Sequence, residues 1–162
     1  MAEALAEYLS KIESPSELEE ALKKVPPQIR GRVAELTATA YERKFSVIEN
    51  EIKFRDKTMS PQGQAQEIMK GLIKMVHIMP YPKVCRLIAL ESYKEANDSE
   101  GLKRIGDSYV KEGDFKAAIS IFESIDSKLL DEERVNVLLY IKSEITNKNI
   151  RKAPSSHPTS ET

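Results

Sequence analysis

The side chains that could do chemistry are few and far apart. There are two histidines and one cysteine in 162 residues. His77 lies in an apolar run, KMVHIMP, with no second histidine three or four residues away. The spacing that puts two metal ligands on one helical face is therefore missing. Cys85 follows across Pro80-Tyr81-Pro82, and a Cys–His dyad would need His77 to take the thiol proton. A single cysteine excludes an intrachain disulfide and a multi-cysteine metal site, and it fits a reducing compartment. Carboxylates gather at Glu17, Glu19 and Glu20, at Glu49 and Glu51, and at Asp131, Glu132 and Glu133. Each cluster sits near a helix start or on a charged face, where the helix dipole and solubility account for it. No calcium loop, phosphate-cradling glycine loop or HExxH helix occurs. The expectation is a protein with no catalytic residue, no metal and no cofactor, hence not an enzyme.

Binding chemistry is better represented. Arg43, Lys44, Lys53, Arg55 and Lys57 interleave with Phe45 and Phe54, a pattern able to hold a nucleic-acid strand. Glu42, Glu49, Glu51 and Asp56 dilute it, and the formal net charge is −1, so a solvated helix face with no nucleic-acid partner is expected. Met59, Met69, Met75 and Met79 supply flexible thioethers, which fill cores or line surfaces that accept varied apolar partners. No apolar run approaches the roughly 18 residues of a membrane span, so membrane insertion is not expected. The opening MAEALAEYLSKIE is acidic and lacks the form of a signal peptide, and the expected location is cytoplasmic.

The elements that carry these residues read as helices throughout. Hydrophobic content of 40% with only six glycines and no tryptophan argues against a turn-rich β fold. Residues 2–12 form a short amphipathic helix. Ser14-Pro15-Ser16-Glu17 starts a second, with a cap, a pre-set first turn and a capping-box glutamate. Pro26-Pro27 opens a long helix over about 28–57, whose apolar stripe is interrupted at Arg43 and Lys44. Ser60-Pro61 starts the next helix, apolar over more than half its circumference and therefore expected to be central. Pro80-Tyr81-Pro82 predicts a rigid break, with a further helix to about Ala96. Helices over about 99–112 and 115–125 follow, and a last one over about 129–147. The proline-, serine- and threonine-rich stretch 148–162, which contains His157, is expected to be a disordered tail.

One stretch specifies a packing geometry. In Ser99–Ile125, Leu102, Ile105, Tyr109 and Val110 share a helical face. Gly113-Asp114 breaks the pattern, and Ala117, Ala118, Ile119, Ile121, Phe122 and Ile125 begin a second face. Gly106 and Ala118 lack bulk where two antiparallel helices would close. The segment resembles a tetratricopeptide repeat, a 34-residue helix–turn–helix unit. Leu102 falls at the tryptophan position, Ile105-Gly106 at the Leu-Gly pair, Tyr109 at the tyrosine, Ala118 at the alanine and Phe122 at the aromatic. Ile125 and Leu130 depart from the pattern, standing where a small residue and a proline are usual.

The resemblance places one repeat at 99–132 and a degenerate one at about 64–97. It implies an all-α fold of antiparallel helix hairpins in a short, right-handed array, behind an N-terminal helical segment containing one long helix. The expected organisation is a single domain over 1–147, with N-terminal helices in 1–57 and, in 61–147, hairpins plus a capping helix. It further implies an adaptor, scaffold or small chaperone that binds a peptide or helix of another protein in a groove. Carried over by position, the groove would offer Lys103, Asp107, Val110 and Lys111, with Met75 and Met79 beside it. Asp107 stands where the subclass that grips a C-terminal carboxylate has asparagine, so a helical or apolar ligand fits better. The alternative is a structural subunit assembling through helix 28–57 as a homo- or hetero-oligomer.

Overall fold

The computed structural model describes residues 1–152. The described residues are all-α, without a strand. The chain divides into two compact units, Met1–Gly101 and a second that begins at Leu102.

The first unit is built on the long helix. Its elements are α1 (Ala2–Leu9), α2 (Pro15–Lys23), α3 (Pro27–Lys53), α4 (Pro61–Ile78) and α5 (Pro80–Glu95). α1, α2, α4 and α5 all pack on α3, and α5 does so along most of its length. Small side chains make that closeness possible: Ala34 and Ala38 are buried on α3, and a Cβ on Gly31 would lie 2.6 Å from the Tyr93 ring of α5. Leu18 and Leu22 of α2, Val33 of α3, and Tyr81, Cys85 and Ala89 of α5 complete the core. Several polar groups inside it find partners within the unit. The buried Thr37 hydroxyl donates back to the Val33 carbonyl at 2.7 Å. The Tyr41 hydroxyl lies 2.6 Å from the Ile12 carbonyl and 3.2 Å from that of Leu9, tying the end of α1 to α3. Tyr93 donates to Glu35 at 2.6 Å, and the buried Arg86 pairs with Glu42 at 2.5 Å.

The helix starts follow the sequence signals. Ser14 accepts from the Glu17 N–H at 3.4 Å and Ser60 from the Gly63 N–H at 3.2 Å, each with proline at the first turn. α3 ends at Lys53, short of the expected 57. There the Arg55 guanidinium turns back to donate to the Ile52 carbonyl at 2.9 Å, covering one of the unpaired terminal acceptors.

Two expectations are corrected here. The break at Pro80-Tyr81-Pro82 is a bend. Met79 keeps helical angles, φ −48° and ψ −38°, and both prolines fall in the first turn of α5, where their missing N–H groups would have no helical partner. Residues 61–95 are therefore one bent helix, and the degenerate repeat expected at 64–97 lacks the turn that folds one helix back on another. α4 is also not central. Gly71 is its only buried residue, and a Cβ there would meet Ile52 of α3 at 2.5 Å. α4 rests on α3 along a narrow line through a glycine, flanked by the half-buried Ile68, Met75 and Ile78.

The second unit takes most of α6 (Ser99–Glu112), then α7 (Phe115–Glu123), a single 3-10 turn (Ser127–Leu129) and α8 (Glu132–Lys152). The turn after α6 closes as its sequence predicts. Gly113 takes φ +80°, its N–H bonds the Val110 carbonyl at 3.0 Å, and the Asp114 N–H bonds that of Tyr109 at 3.0 Å. The Asp114 side chain then caps α7 by accepting from the Ala117 N–H at 3.2 Å. A Cβ on Gly106 would lie 2.4 Å from the Phe122 ring, which is fully buried with Ile105, Ala118, Ile121 and Ile141. α8 continues to Lys152, five residues past the expected end, so the first part of the expected tail is helical. The remainder of that tail, with His157, lies outside the described residues.

Replacing Gly106 by leucine forces a side chain into the space of Phe122. Overpacking of this kind costs typically 1–3 kcal/mol, so Gly106→Leu is expected to lose about 2 kcal/mol in a chemical-denaturation experiment. An unchanged midpoint would show that α6 and α7 do not close at that point.

Candidate protein-docking face

α4 carries a row of apolar side chains that the described chain leaves about half exposed. Met69, Leu72, Ile73 and Val76 follow the i, i+3, i+4, i+7 spacing of one helical face, and Met79 continues it into the bend. Their exposures are 59%, 45%, 64%, 67% and 48%. At 1.5 Å per residue the stripe runs about 15 Å. Fully burying such a side chain is worth about 1.5–3 kcal/mol, so half-exposure of five of them forgoes on the order of 5 kcal/mol. That equals the whole stability of a marginal domain. Isolated exposed apolar residues need no explanation, whereas a contiguous stripe marks an interaction surface.

The face is bordered on one side by exposed polar residues, Gln66, Lys70 and His77. Glu67 pairs with Lys70 at 3.0 Å. Two cavities of about 270 Å³ lie alongside α4. One is lined by Ile52, Arg55, Asp56, Met59 and Lys70. The other, at the bend, is lined by Lys11, Glu13, Lys44, His77 and Tyr81. In the second, Tyr81 stacks on Tyr41 at 4.6 Å between ring centres and meets His77 edge-on at 6.1 Å. Among the described residues its buried hydroxyl has no hydrogen-bond partner.

The residues weighed for catalysis do not assemble into a reactive site. Cys85 is fully buried, and burial pushes its thiol up to about 12, so it stays protonated and non-nucleophilic at neutral pH. His77 is exposed on α4. Among the described residues no group of three histidine, cysteine, aspartate or glutamate side chains is arranged to hold a metal ion. No helix among them is long and apolar enough to cross a membrane.

The groove residues expected from the repeat resemblance are placed differently from one another. Lys103 is buried, at 8% exposure. Asp107 receives both arms of Arg134 from α8, at 2.6 and 3.2 Å. Arg134 also pairs with Asp131, whose carboxyl is held below its usual range first by the Arg134 backbone N–H, with Lys103 adding a smaller lowering. Asp107 thus serves the packing of α8 in its own unit. Val110 is half-buried and Lys111 exposed. Met75 and Met79 belong to the first unit, Met75 half-buried and Met79 exposed. From sequence Met69 reads as core or surface, whereas Leu72, Ile73 and Val76 were missed as surface residues. Their signal was an apolar arc too wide for one packing contact, which reads equally as a central helix.

Comparison with protein-family models, with curated proteins and with solved structures returns no match.

The state of Cys85 is directly measurable. Its folded pKa lies above the unfolded value of about 8.5, so its contribution to stability is complete below that pH and is lost as pH rises toward 12. The native protein is expected to resist thiol reagents at pH 8 and to react at once when unfolded. Cys85→Ala removes part of the alkaline loss of stability. Tyr41 and Tyr81, also raised by burial, keep the rest. Rapid labelling of the native protein would contradict this placement.

Proposed function

We propose that this chain is a non-enzymatic protein–protein interaction module, an adaptor or scaffold, which receives an apolar helical segment of another protein on the outer face of α4. The observation that carries the reading is the exposed stripe Met69, Leu72, Ile73, Val76 and Met79 on a helix seated by a glycine. Two methionines in that stripe give it the adaptability of surfaces that accept varied apolar side chains. The α6–α7 hairpin is read as a tetratricopeptide-like unit, with α8 as its capping helix. Gly106 against Phe122 and the left-handed Gly113 support that reading. Assembly through α3 is less favoured. Val33, Ala34, Ala38, Tyr41 and Ile48 are all buried on it by the chain's own helices. A cytoplasmic location, which a single cysteine fits, belongs to the same proposal.

The test compares wild-type protein with Ile73→Glu/Val76→Glu and with Leu139→Glu/Tyr140→Glu, which alters exposed apolar residues of α8. Each is used to capture partners from lysate, after circular dichroism shows native helix content. The α4 variant is expected to lose the captured protein and the α8 variant to keep it. Equal capture by all three would remove α4 as the docking face.

A further inference from the structure

α4 is weakly anchored for its length. Gly71 is the only buried residue of its 18, whereas α5 buries eight of 16. Lys70 donates within α4 to Glu67 at 3.0 Å, and the Gln64 amide donates to the preceding loop, at 3.2 Å to the Lys57 carbonyl and 3.0 Å to that of Met59. Two cavities of about 270 Å³ interrupt the packing beside it, one lined by Ile52, Arg55 and Gly71, the other by Tyr41, His77 and Ile78. The backbone is weakened at the bend as well. Pro80 and Pro82 have no N–H, so the carbonyls of Val76 and Ile78 lack the amide that an unbroken helix supplies four residues on. The Met79 N–H keeps its bond to the Met75 carbonyl at 3.0 Å. At the other end, residues 54–60 join α3 to α4 and are exposed apart from Arg55.

We infer that α4 is a hinged strap. It leaves α3 by pivoting at Met79–Pro82 and at residues 54–60, and uncovers Ile48 and Ile52, while α1, α2, α5 and the first half of α3 stay folded. Elements with few buried apolar contacts open at lower free energy than the core of the same domain. α5 does not follow, because the Tyr93 ring is seated on Gly31 and the Tyr81 ring is stacked on Tyr41 at 4.6 Å. Released α4 does not persist as a helix. Its 18 residues include Gly63 and Gly71, and isolated helices of about that length are marginal in water even without glycine. Each opening therefore frees the amides of α4 for exchange with solvent. The opening needs no partner on the outer face of α4.

Hydrogen–deuterium exchange of the full chain, read by peptide mass spectrometry, tests this. Residues 64–78 are expected to exchange about a hundredfold faster than residues 29–41 and 83–95. Gly71→Leu keeps a strong helix former in α4 but drives a side chain into Ile52, so it should speed exchange over 64–78 by about tenfold and leave α1, α2 and α5 unchanged. Ile52→Cys/Gly71→Cys acts in the opposite sense. A Cβ on Gly71 would lie 2.5 Å from Cγ1 of Ile52, which brings the two Cβ atoms within disulfide range. The oxidised pair should slow exchange over 64–78 to the level of α5, and reduction should restore it. Wild-type exchange over 64–78 as slow as in α5 would overturn the hinged strap. So would acceleration by Gly71→Leu shared equally by every helix of the unit, a cysteine pair that does not oxidise, or an oxidised pair that slows nothing.

Discussion

The close seating of α5 on α3 is the contact on which the first unit depends. Gly31, Ala34 and Ala38 leave α3 almost without side-chain bulk on that side, and Tyr93, Ala89, Cys85 and Tyr81 fill the space. Stacking of Tyr81 on Tyr41 locks the near end of α5 to the middle of α3. The Tyr41 hydroxyl then extends the same connection to the carbonyls that end α1. Interiors this close-packed tolerate little change in volume. The arrangement fixes where α5 begins, and therefore where the helix before it must end.

That constraint determines the fate of α4. Pro80 and Pro82 set the bend, and the bend sends α4 away along the C-terminal half of α3. It meets α3 there through Gly71 and Ile52. One glycine-wide line of contact cannot cover a helix that is apolar over most of its circumference. The side bearing Ile68, Met75 and Ile78 is partly buried, and the side bearing Met69, Leu72, Ile73 and Val76 is left outward. The exposed stripe is thus a consequence of the close seating of α5 on α3 and of the bend that follows from it.

Much of this was legible from residue order. Serine-proline starts, the Gly113 stop and the Gly106–Phe122 match are local signals, and local hydrogen bonding and sterics decide them. Three features were not legible. Whether a proline pair breaks or bends a chain depends on whether the residue before it can stay helical, which at Met79 it does. Whether an apolar helix is central or peripheral depends on what else competes for its faces, and periodicity alone carries no such information. The fate of Asp107 turned on Arg134, about thirty residues away in sequence and brought alongside by α8, and that of Lys103 on its burial. Both repeat positions matched the groove, but the charge partner that occupies Asp107 is a tertiary fact.

Methionine oxidation tests the central claim most directly, because α4 carries its own reporters. Limited peroxide treatment followed by peptide mass spectrometry reads Met69, Met75 and Met79 separately, with the exposed Met59 as a reference outside the stripe. In the protein alone, Met69 and Met79 should oxidise readily and the half-buried Met75 more slowly. With a bound partner, Met69 and Met79 should become protected while Met59 does not. Slow oxidation of Met69 in the isolated monomer, or unchanged oxidation in the complex, would contradict an open docking face on α4.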